Sequence, residues 1–242
     1  MEQENSIRIN KYLSEVGFCS RRAADQLLDQ KRITINGKLP ELGTKVFPED
    51  EVRVDGELVG KPKKRHTYIA FHKPVGIVST TDTKGEKNNI IDFIGHPERI
   101  FPIGRLDKDS EGLILLTSEG DIVNKILRSK NNHEKEYIVT VDRPIDDNFI
   151  RRMSSGIPIL GTVTDRCKVE LISRFKFRII LTQGLNRQIR RMCEYLGYTV
   201  KQLKRIRIMN IHLDIPVGKW RDLSEKEMAE LNSLIADSSK TF

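Results

Sequence analysis

Cysteine is scarce in this 242-residue sequence, and Cys19, Cys167 and Cys193 lie far apart. They show neither the paired spacing of a metal site nor a disulfide framework. The five histidines form no HxxxH cluster, and neither a GxGxxG segment nor a Walker loop is present. These absences argue against a metalloenzyme, a methyltransferase and a nucleotide-driven enzyme. We therefore expect reduced thiols and no metal site.

Long apolar runs are missing as well. No stretch approaches the roughly 20 apolar residues of a membrane-spanning helix, and Met1 leads into the polar EQENS rather than a signal peptide. We expect a cytoplasmic protein with no membrane partner. Hydrophobic residues at 38% and charged residues at 31% predict a globular chain rather than a disordered one.

Positive charge exceeds negative charge. Forty-two Lys and Arg against 34 Asp and Glu give a formal net charge of +8. Such a field favours a polyanionic partner, because binding releases counterions. Since many basic proteins bind no nucleic acid, the charge raises the expectation of a nucleic-acid partner without deciding it.

Residues 1–60 predict a small domain of two helices followed by β-hairpins. Ser20 is a suitable N-cap for the second helix. The Asn-Gly pair at 36–37 and the Asp-Gly pair at 55–56 favour tight hairpin turns. Residues 61–66 combine Pro and basic side chains without apolar periodicity, which indicates a basic linker.

Residues 67–242 predict a larger domain of the α+β class. Its strands outnumber its helices and do not alternate with them, which favours a mainly antiparallel, mixed sheet with flanking helices. The predicted strands span 68–71, 76–80, 113–117, 137–141, 169–172, 175–182 and 206–213, and the predicted helices span 121–128, 146–153, 186–196 and 225–235.

Basic residues lie on or beside the two helices of the small domain, at Lys11, Arg21 and Arg22. Together with helix N-terminal amides they would form a phosphate-contact surface. Composition alone also allows an ordinary solvated face. The run IRINKYLSEVGFCSRRAADQLLDQKRITINGK resembles an S4 RNA-binding domain, in which such helices and a hairpin grip structured RNA. The resemblance implies that these three residues contact RNA.

The loop PIGRLDKDSEGLILLTSEGD, at residues 102–121, carries the strongest chemical signal. Gly112 allows a sharp turn, and Asp107 lies between Arg105 and Lys108 in a loop that enters an apolar strand. A carboxylate among basic groups can stay ionised and act as a nucleophile. A surface loop with ordinary ion pairs is the alternative.

GRLDKDSEGL resembles the catalytic motif of bacterial pseudouridine synthases of the RsuA branch. HEKEYIVTV at 133–141, GLNRQIRRMCEYLGY at 184–198 and KPVGIVSTT at 73–81 are similar to further family segments, so the likeness covers nearly the whole chain. It implies an isomerase that converts a specific uridine of structured RNA into pseudouridine without any cofactor. PILGTVT and RIRIMNI are most similar to the branch that modifies large-subunit (23S) ribosomal RNA.

The resemblance also implies roles for individual residues. Asp107 is the expected nucleophile, Arg190 its ion-pair partner, and Tyr137 the ring that stacks on the flipped uracil. Arg105 is expected to enter the space that the base leaves. Further RNA contacts are expected at Leu106, Lys108, Asn186, Arg187, Gln188, Ile189 and Arg191, and the basic surface is expected to extend over Lys201, Lys204, Arg205 and Arg207.

Two alternatives stay open at this point. The same chemistry could serve transfer RNA, or both ribosomal and transfer RNA, because catalytic motifs do not fix the target. The chain could instead be a non-catalytic S4-domain assembly factor. We expect a monomer, since no heptad or other self-association pattern appears. The sequence ends at ADSSKTF, so we expect no RNA anchoring by a basic tail.

Overall fold

The computed structural model describes residues 6–61, 65–128 and 131–238. The chain folds into two compact units, residues 1–66 with 118–120 and residues 67–117 with 121–242. Residues 62–64 of the basic segment and the final residues 239–242 lie outside the described ranges. The linker at 61–66 and the domain limits around it therefore stay predictions.

The smaller unit packs two helices against short strands. Its elements are β1 (Ile7–Arg8), α1 (Ile9–Glu15), α2 (Arg21–Asp29), β2 (Ile33–Ile35), β3 (Lys45–Val46), β4 (Val52–Val54) and β5 (Glu57–Leu58). Ser20 caps α2 as predicted, because its Oγ accepts a hydrogen bond from the Ala23 N–H at 3.1 Å. Asp55 and Gly56 both have positive φ angles, 52° and 83°, as the tight turn between β4 and β5 requires.

The core of the smaller unit comes from the apolar faces of these elements. Its fully buried members include Ile9 and Leu13 of α1, Ala24 of α2 and Ile33 of β2. Strand β2 pairs with β4 rather than with the residues after Gly37. The Asn-Gly turn is present, closed by paired hydrogen bonds between residues 35 and 38, but it is not followed by a hairpin partner.

Residues from 67 onward form a mixed sheet with helices on both faces. The elements are β6 (Tyr68–Lys73), α3 (Ile90–Ile94), β7 (Phe101–Ile103), β8 (Glu111–Thr117), α4 (Gly120–Leu127), β9 (Lys135–Val141), α5 (Asp147–Ser155), β10 (Pro158–Ile159), β11 (Thr162–Val163), β12 (Lys168–Ser173), β13 (Lys176–Leu181), α6 (Gln188–Tyr195), β14 (Val200–Ile208), β15 (Ile211–His212), β16 (Trp220–Asp222) and α7 (Glu225–Leu234).

The main sheet has the order β12-β13-β9-β14-β8-β6-β16, with β15 paired to β14 and β7 paired to β8. Its pairs are antiparallel except β8 with β14. The predicted α+β class with a mainly antiparallel, mixed sheet is therefore confirmed.

Strand β8 lies between two hydrophobic cores. Ile114 and Leu116 face one core, and Leu113 and Leu115 face the other. The first core also receives α5 and α6, and the second receives α4 and α7. Burial on both faces explains why this strand is a continuous apolar run rather than an alternating one. None of the helices in the described ranges is long and apolar enough to cross a membrane.

Two predicted strands differ from the structure. Residues 76–80 form no strand, and Val78 makes only an isolated bridge to Asn89. The predicted strand 206–213 contains the end of β14 and the whole of β15, with a turn at Met209, whose φ is 52°. Helix α3 and the short strands β7, β10, β11 and β16 were not predicted, because they are too short to show periodicity.

The carboxylate of Glu227 is held at the start of α7. Hydrogen bonds from Arg221, at 2.7 and 2.8 Å, lower the pKa of Glu227 to about 2, against partial burial, and Ser224 adds a capping box. This stabilisation is complete above the unfolded pKa and is lost as pH falls toward 2. We expect Glu227→Gln to reduce the free energy of unfolding at pH 7 by about 1–2 kcal/mol.

Denaturant unfolding at pH 7 and at pH 3 measures this contribution. The difference in free energy of unfolding between wild type and Glu227→Gln should be smaller at pH 3 than at pH 7. Glu225→Gln, at an exposed neighbouring position, serves as the control. An equal difference at both pH values would contradict the role given to the ionised carboxylate.

Candidate active site

A cleft of about 440 Å³ opens in the larger unit between the loop before β8, the strands β9 and β14, and the start of α6. The structure brings many of the predicted site residues together here. Those lining the cleft are Arg105, Leu106, Asp107, Tyr137, Asn186, Arg187, Gln188, Ile189 and Arg190.

The loop that carries Asp107 is fixed by residues 76–80, which follow β6 along the chain. The Ser79 hydroxyl donates to the Leu106 carbonyl at 2.9 Å and accepts from the Leu106 N–H at 3.1 Å. The Gly76 N–H donates to the Lys108 carbonyl at 2.7 Å. Gly76 and Ser79, in a segment wrongly predicted as a strand, thus hold this loop by hydrogen bonds.

Two arginines from the start of α6 face the Asp107 carboxylate. Arg187 Nη1 lies 3.5 Å and Arg190 Nε 3.9 Å from Asp107 Oδ2. The Asp107 side chain is 33% exposed and that of Arg190 only 8%. Arg190 is fixed by closer contacts, since its Nη2 donates to the Asp109 carbonyl at 2.9 Å and to the Ser110 hydroxyl at 3.1 Å.

Asp109 takes the strongest contacts of Arg187. The guanidinium donates to both carboxylate oxygens of Asp109, at 3.2 and 3.3 Å. Partial burial acts to raise the pKa of Asp109, but the hydrogen bond from Arg187 and the charges of Arg190 and Arg187 hold it below its usual value. Because Arg187 makes its hydrogen bonds with Asp109, its contact with the Asp107 carboxylate is longer. Neither arginine therefore binds the Asp107 carboxylate tightly.

Tyr137 lies on β9 at the floor of the cleft. It is nine-tenths buried and also belongs to the hydrophobic core. It pairs in register with Ile179 of β13 on one side and Arg205 of β14 on the other. The backbone of Tyr137 is therefore fixed by both neighbouring strands, and its side chain lines the cleft.

Lys73 is a buried cation close to the two carboxylates of this loop. Its side chain is fully buried and its Nζ donates to the carbonyls of Pro74 and Ile77 at 2.9 and 2.7 Å. Burial lowers the pKa of Lys73 to about 8, while the charges of Asp107 and Asp109 act in the opposite direction. The lysine thus adds positive potential near the carboxylates without lining the cleft.

The remaining predicted residues occupy different settings. Lys108 is exposed and lines a neighbouring depression. Arg191 bonds back to the carbonyl and side chain of Asn186 at 3.1 and 3.3 Å. Leu106, Gln188 and Ile189 are buried at the cleft wall. In the smaller unit, Arg21 and Arg22 are exposed on α2, and Lys11 pairs with Glu15 at 3.3 Å. Contact of these residues with RNA stays a prediction.

The lining residues that sequence reasoning did not assign to the cleft include two cations, Lys135 and Arg205. Arg205 was expected on the basic surface, and this was wrong, because it is buried and donates from Nε to the Leu113 carbonyl at 2.7 Å. Lys135 precedes Tyr137 by two residues, so strand alternation could have placed both on one face.

Metal-ligating groups do not assemble at the site. Within residues 6–61, 65–128 and 131–238, no three His, Cys, Asp or Glu side chains are arranged to hold a metal ion. The chemistry that the described residues offer is that of a carboxylate, a tyrosine and a set of cations.

Comparison with known families identifies the class of enzyme. The family model of RNA pseudouridylate synthases matches residues 67–195, and the S4 domain model matches residues 7–52. The chain therefore belongs to the RNA pseudouridylate synthase family, whose members are isomerases, and it carries an S4 domain before the synthase domain. The predicted family and enzyme class are confirmed.

Individual relatives agree with this assignment. The chain is 57% identical over 242 residues to the dual-specificity RNA pseudouridine synthase RluF of Escherichia coli strain K12, covering 99% of this chain and 83% of that protein. It is 34% identical to the ribosomal large subunit pseudouridine synthase B of Bacillus subtilis strain 168, covering 97% and 99%. A solved pseudouridylate synthase structure superposes with a TM-score of 0.68 at 28% identity, covering 93% and 99%.

Proposed function

We propose that Asp107 is the nucleophile with which this synthase isomerises uridine. The observation that carries the proposal is its place in the cleft: Asp107 is the one carboxylate among the described lining residues, and it faces Arg187 and Arg190 at 3.5 and 3.9 Å. The two guanidinium groups place positive charge beside the carboxylate and help to orient it. A partly exposed, ionised carboxylate can approach a sugar carbon that enters the cleft.

Isomerisation needs little beyond such a carboxylate. The N1–C1′ bond breaks, the uracil turns, C5 bonds to C1′, and the proton of C5 leaves while N1 gains one. No electrons are gained or lost overall, so neither a cofactor nor an external donor is required. Whether Asp107 attacks C1′ or assists elimination to a glycal, the step uses its ionised form.

Arg190 has the role of holding Asp107 in place. Its guanidinium is fixed by hydrogen bonds to the Asp109 carbonyl and the Ser110 hydroxyl, so it presents Nε toward Asp107 without needing to reorganise. Preorganised charges of this kind are more effective than mobile ones.

Tyr137 and Arg105 act on the flipped nucleotide. A uridine must leave its stack before reaction, at a cost of about a few kcal/mol. Tyr137 offers an aromatic surface to the uracil inside the cleft and a hydroxyl for proton transfer. Arg105 is exposed at the rim, where it can enter the space that the base leaves in the RNA.

The proposed substrate is the large-subunit (23S) ribosomal RNA. The name of the Bacillus subtilis relative assigns it to the ribosomal large subunit, and the name of the Escherichia coli relative records a dual specificity. A second RNA, such as transfer RNA, is therefore the further candidate. We propose that the enzyme works in the cytoplasm, where bacterial ribosomal RNA is found, and that it acts there as a monomer.

Tritium release from RNA labelled at uracil C5 tests this substrate. We expect wild-type enzyme to release close to one equivalent of tritium per unmodified 23S RNA, because one specific uridine is isomerised. Transfer RNA transcripts run in parallel as the comparison substrate. Release from transfer RNA alone would contradict the ribosomal assignment, and release from neither would contradict the proposed function.

A further inference from the structure

Two buried cations in the cleft have no role in the mechanism so far. Lys135 is 6% exposed and Arg205 4%, and both line the cleft that holds Asp107. Within the described part of the chain, neither forms an ion pair with a carboxylate. Taking a charge out of water without a counter-charge is costly, so such residues are more often found where a charged ligand binds.

The hydrogen bonds of these two side chains are also incomplete. Arg205 donates to the carbonyls of Leu113 and Arg105, at 2.7 and 3.5 Å, but its buried Nη2 has no partner among the described residues. Lys135 Nζ makes only long contacts, at 3.3 and 3.4 Å, to the carbonyls of Thr182 and His133. Both groups can therefore donate to an acceptor that enters the cleft.

Sheet register places both cations beside Tyr137. Lys135 and Tyr137 are two residues apart on β9 and so lie on one face of the sheet. Arg205 is the direct partner of Tyr137 on β14, and its guanidinium carbon is 6.0 Å from the centre of the tyrosine ring. The two cations thus flank the ring proposed to receive the uracil.

The electrostatic cost of this arrangement is visible in Lys135. Burial, and after it the positive charge of Arg205, lower the pKa of Lys135 to about 8. An anion between the two cations would relieve both effects. The site is therefore suited to a ligand that carries negative charge on oxygen.

The reaction itself generates an anion of this kind. When the N1–C1′ bond breaks, the electron pair stays with the uracil, and its charge spreads over N1, O2 and O4. When C5 then bonds to C1′, the C5 proton leaves and N1 takes up a proton. The base is thus an anion only between the two bond changes.

We propose that Arg205 and Lys135 form a subsite that stabilises the detached uracil anion through its oxygens. The inference rests on the proposed function. It makes the two cations part of the site that touches the reacting base, alongside Tyr137, rather than part of an RNA-docking surface. A phosphate of the RNA is the other source of anionic oxygen, and the experiment separates the two.

Single-turnover rates with two target nucleotides test the proposal. RNA carrying uridine or 5-fluorouridine at the target position is supplied at saturation, and disappearance of that nucleoside is followed in digests. Fluorine withdraws electrons and stabilises the anion of the detached base. The fluorinated substrate therefore depends less on the enzyme to stabilise that anion. We expect Arg205→Gln to slow the uridine reaction about 100-fold and the 5-fluorouridine reaction no more than about tenfold.

Further variants keep the test decisive. Lys135→Met should show the same selective loss, and Arg205→Lys should recover part of the rate because it keeps the charge. Arg178→Gln is the control, since Arg178 is on the same sheet but pairs with Glu136 and Glu170 away from the cleft. Melting temperatures establish that each protein is folded, and if Arg205→Gln fails to fold, the other two variants carry the measurement.

Two outcomes would overturn the proposal. An equal loss of rate with both nucleotides would show that the cations only support the fold of the cleft. Weaker RNA binding with an unchanged rate at saturation would assign them to a phosphate. Failure of the proposed function looks different, because wild-type enzyme would then form no pseudouridine or would not depend on Asp107.

Discussion

Replacing Asp107 by Asn is expected to lower pseudouridine formation by at least about 10⁴-fold while RNA binding is retained. Asn is close to Asp in size and keeps the hydrogen-bonding shape, but it has no charge with which to act on C1′. The cations around position 107 remain, so contacts with RNA phosphates are not lost. Tritium release under single-turnover conditions, with a parallel filter-binding measurement, gives both quantities.

The matched control is Asp147→Asn, at the exposed first turn of α5. It removes one negative charge from the same unit without touching the cleft and should leave the rate unchanged. If Asp107→Asn retained the wild-type rate, the carboxylate would not be the nucleophile. If it lost RNA affinity as well as rate, Asp107 would have to contribute to binding.

Gly112→Ala is expected to destabilise the larger unit by about 3 kcal/mol or more. Gly112 is the second residue of β8, with a φ of 123°, and lies in parallel register with Arg205 of β14. A Cβ at this position would overlap the Arg205 carbonyl oxygen and lie 2.5 Å from the Arg205 nitrogen. Strain and overlap arise together, and the obstacle is backbone that cannot move aside without breaking the strand pair.

Chemical denaturation measures this loss, and Gly120→Ala provides the comparison. Gly120 begins α4, where an added Cβ meets nothing within 4 Å. Gly120→Ala should change the free energy of unfolding by no more than about 1 kcal/mol. Equal, small effects at the two glycines would contradict the close approach of β8 and β14 on which the position of Arg205 depends.

Local signals allowed much of the fold to be predicted from the sequence. The Ser20 cap and the Asp-Gly turn depend on residues within a few positions of one another, and both are present. The cleft residues from Arg105 to Asp107 and from Asn186 to Arg190 were found because each group lies in a contiguous motif that resembles one of the family. Their assembly around one cavity required the tertiary fold, which no spacing along the chain contains.

The position of Arg205, in the cleft rather than on the basic surface, could not be predicted from the sequence. Arg205 and Arg207 are two residues apart, and simple alternation would put both on one face of β14. A register shift lies between them, so Arg205 pairs with Tyr137 while Arg207 pairs with Glu136 of β9. Arg205 enters the cleft, and Arg207 forms ion pairs with Glu134 and Glu136 at 2.8 and 2.7 Å. A bulge of this kind leaves no mark in residue type.

The strand prediction for residues 76–80 was wrong for a related reason. Their β-branched residues favour a strand, but their hydrogen bonds go to loops. The Val78 N–H donates to the Asn88 carbonyl, and Ser79 holds Leu106. β-Propensity is a property of the segment alone. The hydrogen-bond partners of the segment lie in other loops, one of which carries Asp107, and these loops are not visible in its local sequence.

A structure of the Asp107→Asn variant bound to its target RNA tests the central claim most directly. We expect the target nucleotide to be flipped into the cleft, with its uracil against Tyr137 and its C1′ within about 3.5 Å of the side chain at position 107. A nucleotide that stays stacked in the RNA, or a backbone phosphate in the place of the base, would contradict the role proposed for Asp107.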